Sequence, residues 1–126
     1  MYDVVLNYDQ IERDESADAK FHVCLQFDAA FDFNFPFRPL LAFIAECLRR
    51  QGVTTEVRLP DYFEFEDFVT GEFIVDGRET EIYFEHSLSY ISFSSNSKVD
   101  LEQLITASAG RCFQHEGYGL NDAKLS

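Results

Sequence analysis

Cysteine, basic side chains and long apolar runs are all scarce in this chain, and each shortage excludes something. The three cysteines, at positions 24, 47 and 112, are odd in number and scattered, so they build no disulfide framework. A reducing, cytoplasmic setting is the expectation that follows. The longest apolar run, Leu40-Leu41-Ala42-Phe43-Ile44-Ala45, falls far short of the ~20 residues that span a bilayer. The opening MYDVVLNYDQIERDE has no basic n-region and no long apolar h-region, so a secretory signal is not expected. Only 10 Lys and Arg stand against 23 Asp and Glu, a net charge of -13. That balance disfavours nucleic acid, whose phosphates are bound chiefly through Lys and Arg, and it disfavours anionic membrane surfaces. Glycine-rich phosphate loops are also missing, since Gly71 and Gly77 are isolated and Gly117-Tyr118-Gly119 opens no helix pattern. No serine lies in a nucleophile-elbow pattern.

What is present is a chain of 126 residues, 46% hydrophobic, which is too apolar for a disordered acidic tail. The length suits one domain over 1–126 with a core of its own, residues 111–126 being a candidate tail. The charge is uneven. Residues 56–85 carry ten acids against two bases, residues 1–37 eight against two, and residues 38–55 one against three. The most acidic stretch is also the one that reads most clearly as sheet. Like charges on a sheet cost stability through self-repulsion, and they accelerate association with a cationic partner.

Periodicity predicts the elements. Tyr2 to Tyr8 reads as a strand, Asp9 to Lys20 as a charged loop, and Phe21 to Phe27 as a strand with Val23 and Leu25 on one face and His22, Cys24 and Gln26 on the other. A phenylalanine-rich connector, Asp28 to Pro39, leads into a helix whose apolar face is Leu40, Phe43, Ile44, Cys47 and Leu48, with Pro39 in its first turn and Gly52 at its end. Thr54 to Leu59 reads as a strand stopped by Pro60. Phe68 to Val75 and Glu79 to His86 flank Asp76-Gly77, a hairpin signal, and Leu88 to Ser95 follows as a further strand. Ser97 caps a second helix bearing Leu101, Leu104 and Ile105, with Asp100 in the capping-box position. The order β-β-α-β-β-β-β-α predicts an α+β domain, with two helices packed on one face of a mainly antiparallel sheet.

Catalysis finds no positive support in these residues, and no cofactor or metal is expected. Cys112-x-x-His115 with Glu116 is half of a zinc spacing and lacks a second pair. His22 and Cys24 share a strand face, which is either a small polar site or plain surface. The Asp61 to Asp67 run, with Glu64 and Glu66 among aromatics, lacks the defined separation of two acids across a cleft that glycoside hydrolysis needs. Acid interleaved with aromatic residues is more telling, because rigid rings bury area at an interface while carboxylates steer a basic partner. The expected partner-binding residues are therefore Asp61, Glu64, Glu66, Asp67, Glu72, Glu79, Glu81, Tyr83 and Glu85. A solvated sheet face is the alternative for the hairpin, and core filling is the alternative for the phenylalanines.

The run Gly71-Glu72-Phe73-Ile74-Val75-Asp76-Gly77 leading into Glu81-Ile82-Tyr83-Phe84-Glu85, in a small acidic α+β chain, resembles bacterial immunity proteins of contact-dependent-inhibition and polymorphic toxin systems. The resemblance implies a non-catalytic function: tight binding to a cognate toxin domain, often a basic nuclease, covering its active site or substrate groove. Carboxylates then stand in for the phosphates that the toxin normally binds. The second class that fits is an acidic type III secretion chaperone holding an effector segment, although those chains generally open on a helix and this one opens on a strand-like segment.

Overall fold

The computed structural model describes residues 2–15, 20–26, 35–61 and 67–116. The strands are β1 (Tyr2–Val5), β2 (Asn7–Tyr8), β3 (Glu12–Arg13), β4 (Phe21–Gln26), β5 (Thr55–Arg58), β6 (Phe68–Val75), β7 (Arg78–Glu85), β8 (Tyr90–Ser95) and β9 (Cys112–His115). The helices are α1 (Phe37–Arg50) and α2 (Lys98–Ser108). The main sheet runs β2-β4-β8-β7-β6-β5, with β3 also paired to β4, and every pairing in it is antiparallel. A separate two-stranded ribbon joins β1 to β9. The result is a single small α+β domain, as the alternation of patterns predicts.

Alternation decides which side of the sheet is covered. Val23, Leu25, Phe73, Val75, Ile82, Phe84, Ile91 and Phe93 are buried, and they form one apolar cluster with Leu40, Leu41, Ile44 and Leu48 of α1 and Leu101 and Leu104 of α2. Phe37 stacks on Phe84 at 4.1 Å between ring centroids. Of the phenylalanine-rich connector, Phe35 and Phe37 are described, and both belong to this core. The remaining connector phenylalanines lie outside the described residues.

The Asp76-Gly77 hairpin forms as its dipeptide predicts, with φ of 49° and 81° at the two positions. Positive φ at both central residues is the turn that follows the native twist of two strands. Gly71 answers to a different demand. A Cβ there would lie 2.5 Å from the Arg58 carbonyl oxygen and from the Leu59 side chain, so the chain leaving β5 presses on bare backbone.

Several elements differ from the sequence-based expectation. The first strand divides at Leu6, which is fully buried: β1 goes to the ribbon and β2 to the main sheet. Leu6 N–H donates to the Arg111 carbonyl at 2.9 Å, and its own carbonyl accepts from Gly110 N–H at 2.8 Å. The stretch expected to be a charged loop contains β3, and the start of the expected tail is β9, with Phe113 buried. Helix α1 begins at Phe37, two residues early, which still leaves Pro39 in the first turn where no intrahelical N–H is needed. Phe43 is half-buried, packing on Phe113 at 5.5 Å, and so is less a core residue than its helical position suggests.

Ser97 is the N-cap residue of α2 but makes no side-chain cap bond, and Asp100 does not complete a capping box. The Asp100 carboxylate turns inward instead, accepting from Arg78 Nε at 2.7 Å and from Ser95 Oγ at 3.1 Å. It thereby ties α2 to the start of β7 and the end of β8.

One polar side chain in the core and one packed against it carry predictions. Thr80 is 1% exposed, and its hydroxyl has no hydrogen-bond partner among the described residues. A buried unsatisfied hydroxyl costs about 1–3 kcal/mol, so Thr80→Val is expected to stabilise the fold by about 1 kcal/mol, read as a higher urea midpoint at unchanged slope. Tyr8 is bonded to Ser108 Oγ at 2.6 Å, and Ser108 Oγ in turn donates to the Leu104 carbonyl at 2.8 Å, so the phenol is the donor. Burial pushes this phenol well above its ordinary value of 10.0. The folded state then holds the proton more tightly than the unfolded chain. Stability attributable to Tyr8 is therefore complete below the ordinary phenol value and declines as pH rises past it. Tyr8→Phe is expected to flatten that alkaline decline in a series of denaturant titrations.

Candidate protein-binding face

Both helices pack on one side of the main sheet, and among the described residues no element covers the other side. Antiparallel register places directly paired residues side by side on one face, so the open face can be read in rows. One row is Phe68, Glu85, Tyr90, and the next is Thr70, Tyr83, Ser92, Cys24. A third crosses the whole sheet as Arg58, Glu72, Glu81, Ser94, His22, Glu12, and a fourth is Glu56, Ile74, Glu79. One end of the face is thus aromatic and the other is acidic. Thr70, Glu72, Glu79, Glu81, Tyr83 and Ser94 line an open groove of about 440 Å³ in the middle.

The structure therefore brings Glu72, Glu79, Glu81, Tyr83 and Glu85 together, five of the residues singled out from sequence. Glu72 and Glu81 are direct cross-strand neighbours, an arrangement of like charges that destabilises a sheet. Lys20 reaches Glu81 at 2.8 Å and offsets part of that repulsion. Tyr83 donates its hydroxyl to Glu85 at 3.1 Å. That bond, with the burial and negative charge around it, pushes the phenol above its ordinary value and keeps the hydroxyl a donor.

The other expected residues fare differently. Asp67 is occupied with the fold: its carboxylate accepts from Ser87 N–H at 3.0 Å, holding the turn between β7 and β8. Asp61 is exposed beyond the end of β5 and belongs to none of the rows. Glu64 and Glu66 lie outside the described residues.

His22 and Cys24 share the open face as alternation predicts, but they serve different neighbours. His22 Nδ1 lies 2.5 Å from Asp14 and Nε2 3.7 Å from Glu12, pinning β3 to β4, while Cys24 Sγ donates to Tyr90 at 3.4 Å. Gln26 donates to Asp9. Cys112 and His115 are three residues apart on a strand and point to opposite sides of it. Cys112 donates to Asp3 at 2.8 Å, and that hydrogen bond pushes its thiol up; burial does the same to Cys47. Both changes reduce the thiolate that nucleophilic or metal chemistry requires. Among the described residues, no three His, Cys, Asp or Glu side chains are gathered to hold a metal ion, and no helix is long and apolar enough to cross a membrane.

Sequence reading left two members of this face out of the expected site, Phe68 at the start of β6 and Tyr90 at the start of β8. The alternation of Tyr90, Ser92 and Ser94 with Ile91 and Phe93 carries the signal, but only the pairing of β8 with β7 puts those residues beside the glutamates. Compared with models of protein families, with curated proteins and with solved structures, the chain finds no match.

Proposed function

We propose that the chain is a non-catalytic binding protein of the immunity type, which neutralises a cognate basic toxin domain by laying its open sheet face over the toxin's active site or substrate groove. The observation that supports this reading is the gathering of Glu72, Glu79, Glu81, Glu85 and Tyr83 on the one side of the sheet that neither helix packs against. The like-charge contact between Glu72 and Glu81 works against stability, and an approaching cationic surface relieves it. A net charge of -13 extends the attraction beyond contact distance, so encounter is fast at low salt and slows as ions screen the field. Once docked, the carboxylates occupy the positions of substrate phosphates and deny the toxin its own ligand.

The test is protection in a growing cell. Co-expression with the basic C-terminal domain of a toxin encoded beside this gene is expected to restore growth that the domain alone arrests. Growth arrest unaltered by the chain, with both proteins present at comparable levels, rejects the reading.

A further inference from the structure

The two ends of the open face differ in chemistry, and the aromatic end has a more definite occupant than the acidic end. Glu85 has Phe68 as its direct neighbour on one side and Tyr90 on the other. Tyr83 stands in the next row, 6.1 Å from the Phe68 ring and 5.8 Å from the Tyr90 ring, and bonds one Glu85 oxygen at 3.1 Å. Phe68 is 58% exposed, so this aromatic group opens to solvent instead of closing into the core. A carboxylate flanked by ring systems suits a planar cation better than a spherical one. A guanidinium is weakly hydrated, stacks on aromatic faces and donates in a fork that matches two carboxylate oxygens, whereas an ammonium keeps its water and acts as a point charge.

We propose that Glu85, set between Phe68 and Tyr90 and bonded by Tyr83, is the seat for an arginine side chain of the protein that this face binds. The proposal rests on the open face being the partner surface and divides that surface by role. Glu72 and Glu79 attract any cation from a distance, while the Glu85 seat selects arginine over lysine and slows its departure. Charge alone does not distinguish the two side chains, so the preference has to come from the rings and the fork geometry.

The full chain can be titrated with nona-arginine and with nona-lysine by calorimetry and by tyrosine emission, which no tryptophan obscures. Nona-arginine is expected to bind about tenfold more tightly at physiological salt. Glu85→Gln and, separately, Phe68→Ser are expected to bring its affinity down to that of nona-lysine, with the circular dichroism spectrum unchanged. Glu72→Gln combined with Glu79→Gln is expected to weaken both peptides by the same factor. Equal affinity of the wild-type chain for the two peptides, or an arginine preference that survives both seat variants, overturns the seat and leaves the acidic partner surface standing. Failure of both peptides to bind even at low salt overturns the seat and the acidic partner surface alike.

Discussion

Phe93→Ala is expected to cost about 3–5 kcal/mol of stability. Phe93 lies on β8, paired to β4 on one side and β7 on the other, and is fully buried. Its ring meets Phe73 at 5.8 Å and Tyr8 at 6.4 Å, so truncation opens a void between both halves of the sheet and the helices. Interiors are packed too tightly to close such a void by relaxation, and the loss is a large part of the ~5–15 kcal/mol that holds a domain of this size. The midpoint of thermal unfolding is expected to fall by about 10–20 °C. A loss below ~1 kcal/mol would mean that β8 is not an interior strand of the sheet. The contrast is Phe43→Ala on α1. A fully buried residue at that helical position would carry a similar cost, but Phe43 is half-buried, and its truncation is expected to cost about 2 kcal/mol.

Reversing Glu81 and Glu85 together to lysine is expected to leave the fold intact and to slow association with the basic partner proposed above by about tenfold or more at low salt. The stability side of this prediction follows from the register. Glu81→Lys gives up the exposed pair with Lys20 but turns the repulsive contact with Glu72 into an attractive one, and both terms are below ~1 kcal/mol. Glu85→Lys removes the bond from Tyr83, a small loss because solvent can replace it at this partly exposed position. The net change stays near 1 kcal/mol, measurable by urea titration. The kinetic side follows from charge. The face changes by +4, so the salt dependence of the association rate should flatten along with the loss of rate at low salt. Retention of the wild-type rate and salt slope by the double variant would remove this face from the interface.

The elements that depend on neighbouring residues were legible. Phe68–Val75 and its hairpin partner follow from alternation around Asp76-Gly77, because the turn's positive φ values and the period of two are local properties. The apolar face of α1 follows from helical spacing. The cluster of Glu72, Glu79, Glu81, Tyr83 and Glu85 was legible for the same reason: all five lie on the two arms of one hairpin. The division at Leu6 was not, since nothing within Tyr2–Tyr8 says that its first half pairs with residues more than a hundred positions away.

Local patterning thus settled which residues prefer strand, helix or turn and which of them face a core, and composition alone fixed the net charge of -13. The three-dimensional arrangement settled matters that depend on who the neighbours are. Asp100 is a buried acceptor and not a cap because Arg78 and Ser95 arrive from other elements to meet it. Asp67 holds a turn because Ser87 is folded back onto it. Glu85 sits between two aromatic side chains because β6 and β8 pair on either side of β7. Each strand's alternation assigns a side chain to a face, but only pairing between strands assigns it a neighbour, and the chemistry of this face lies in its neighbours.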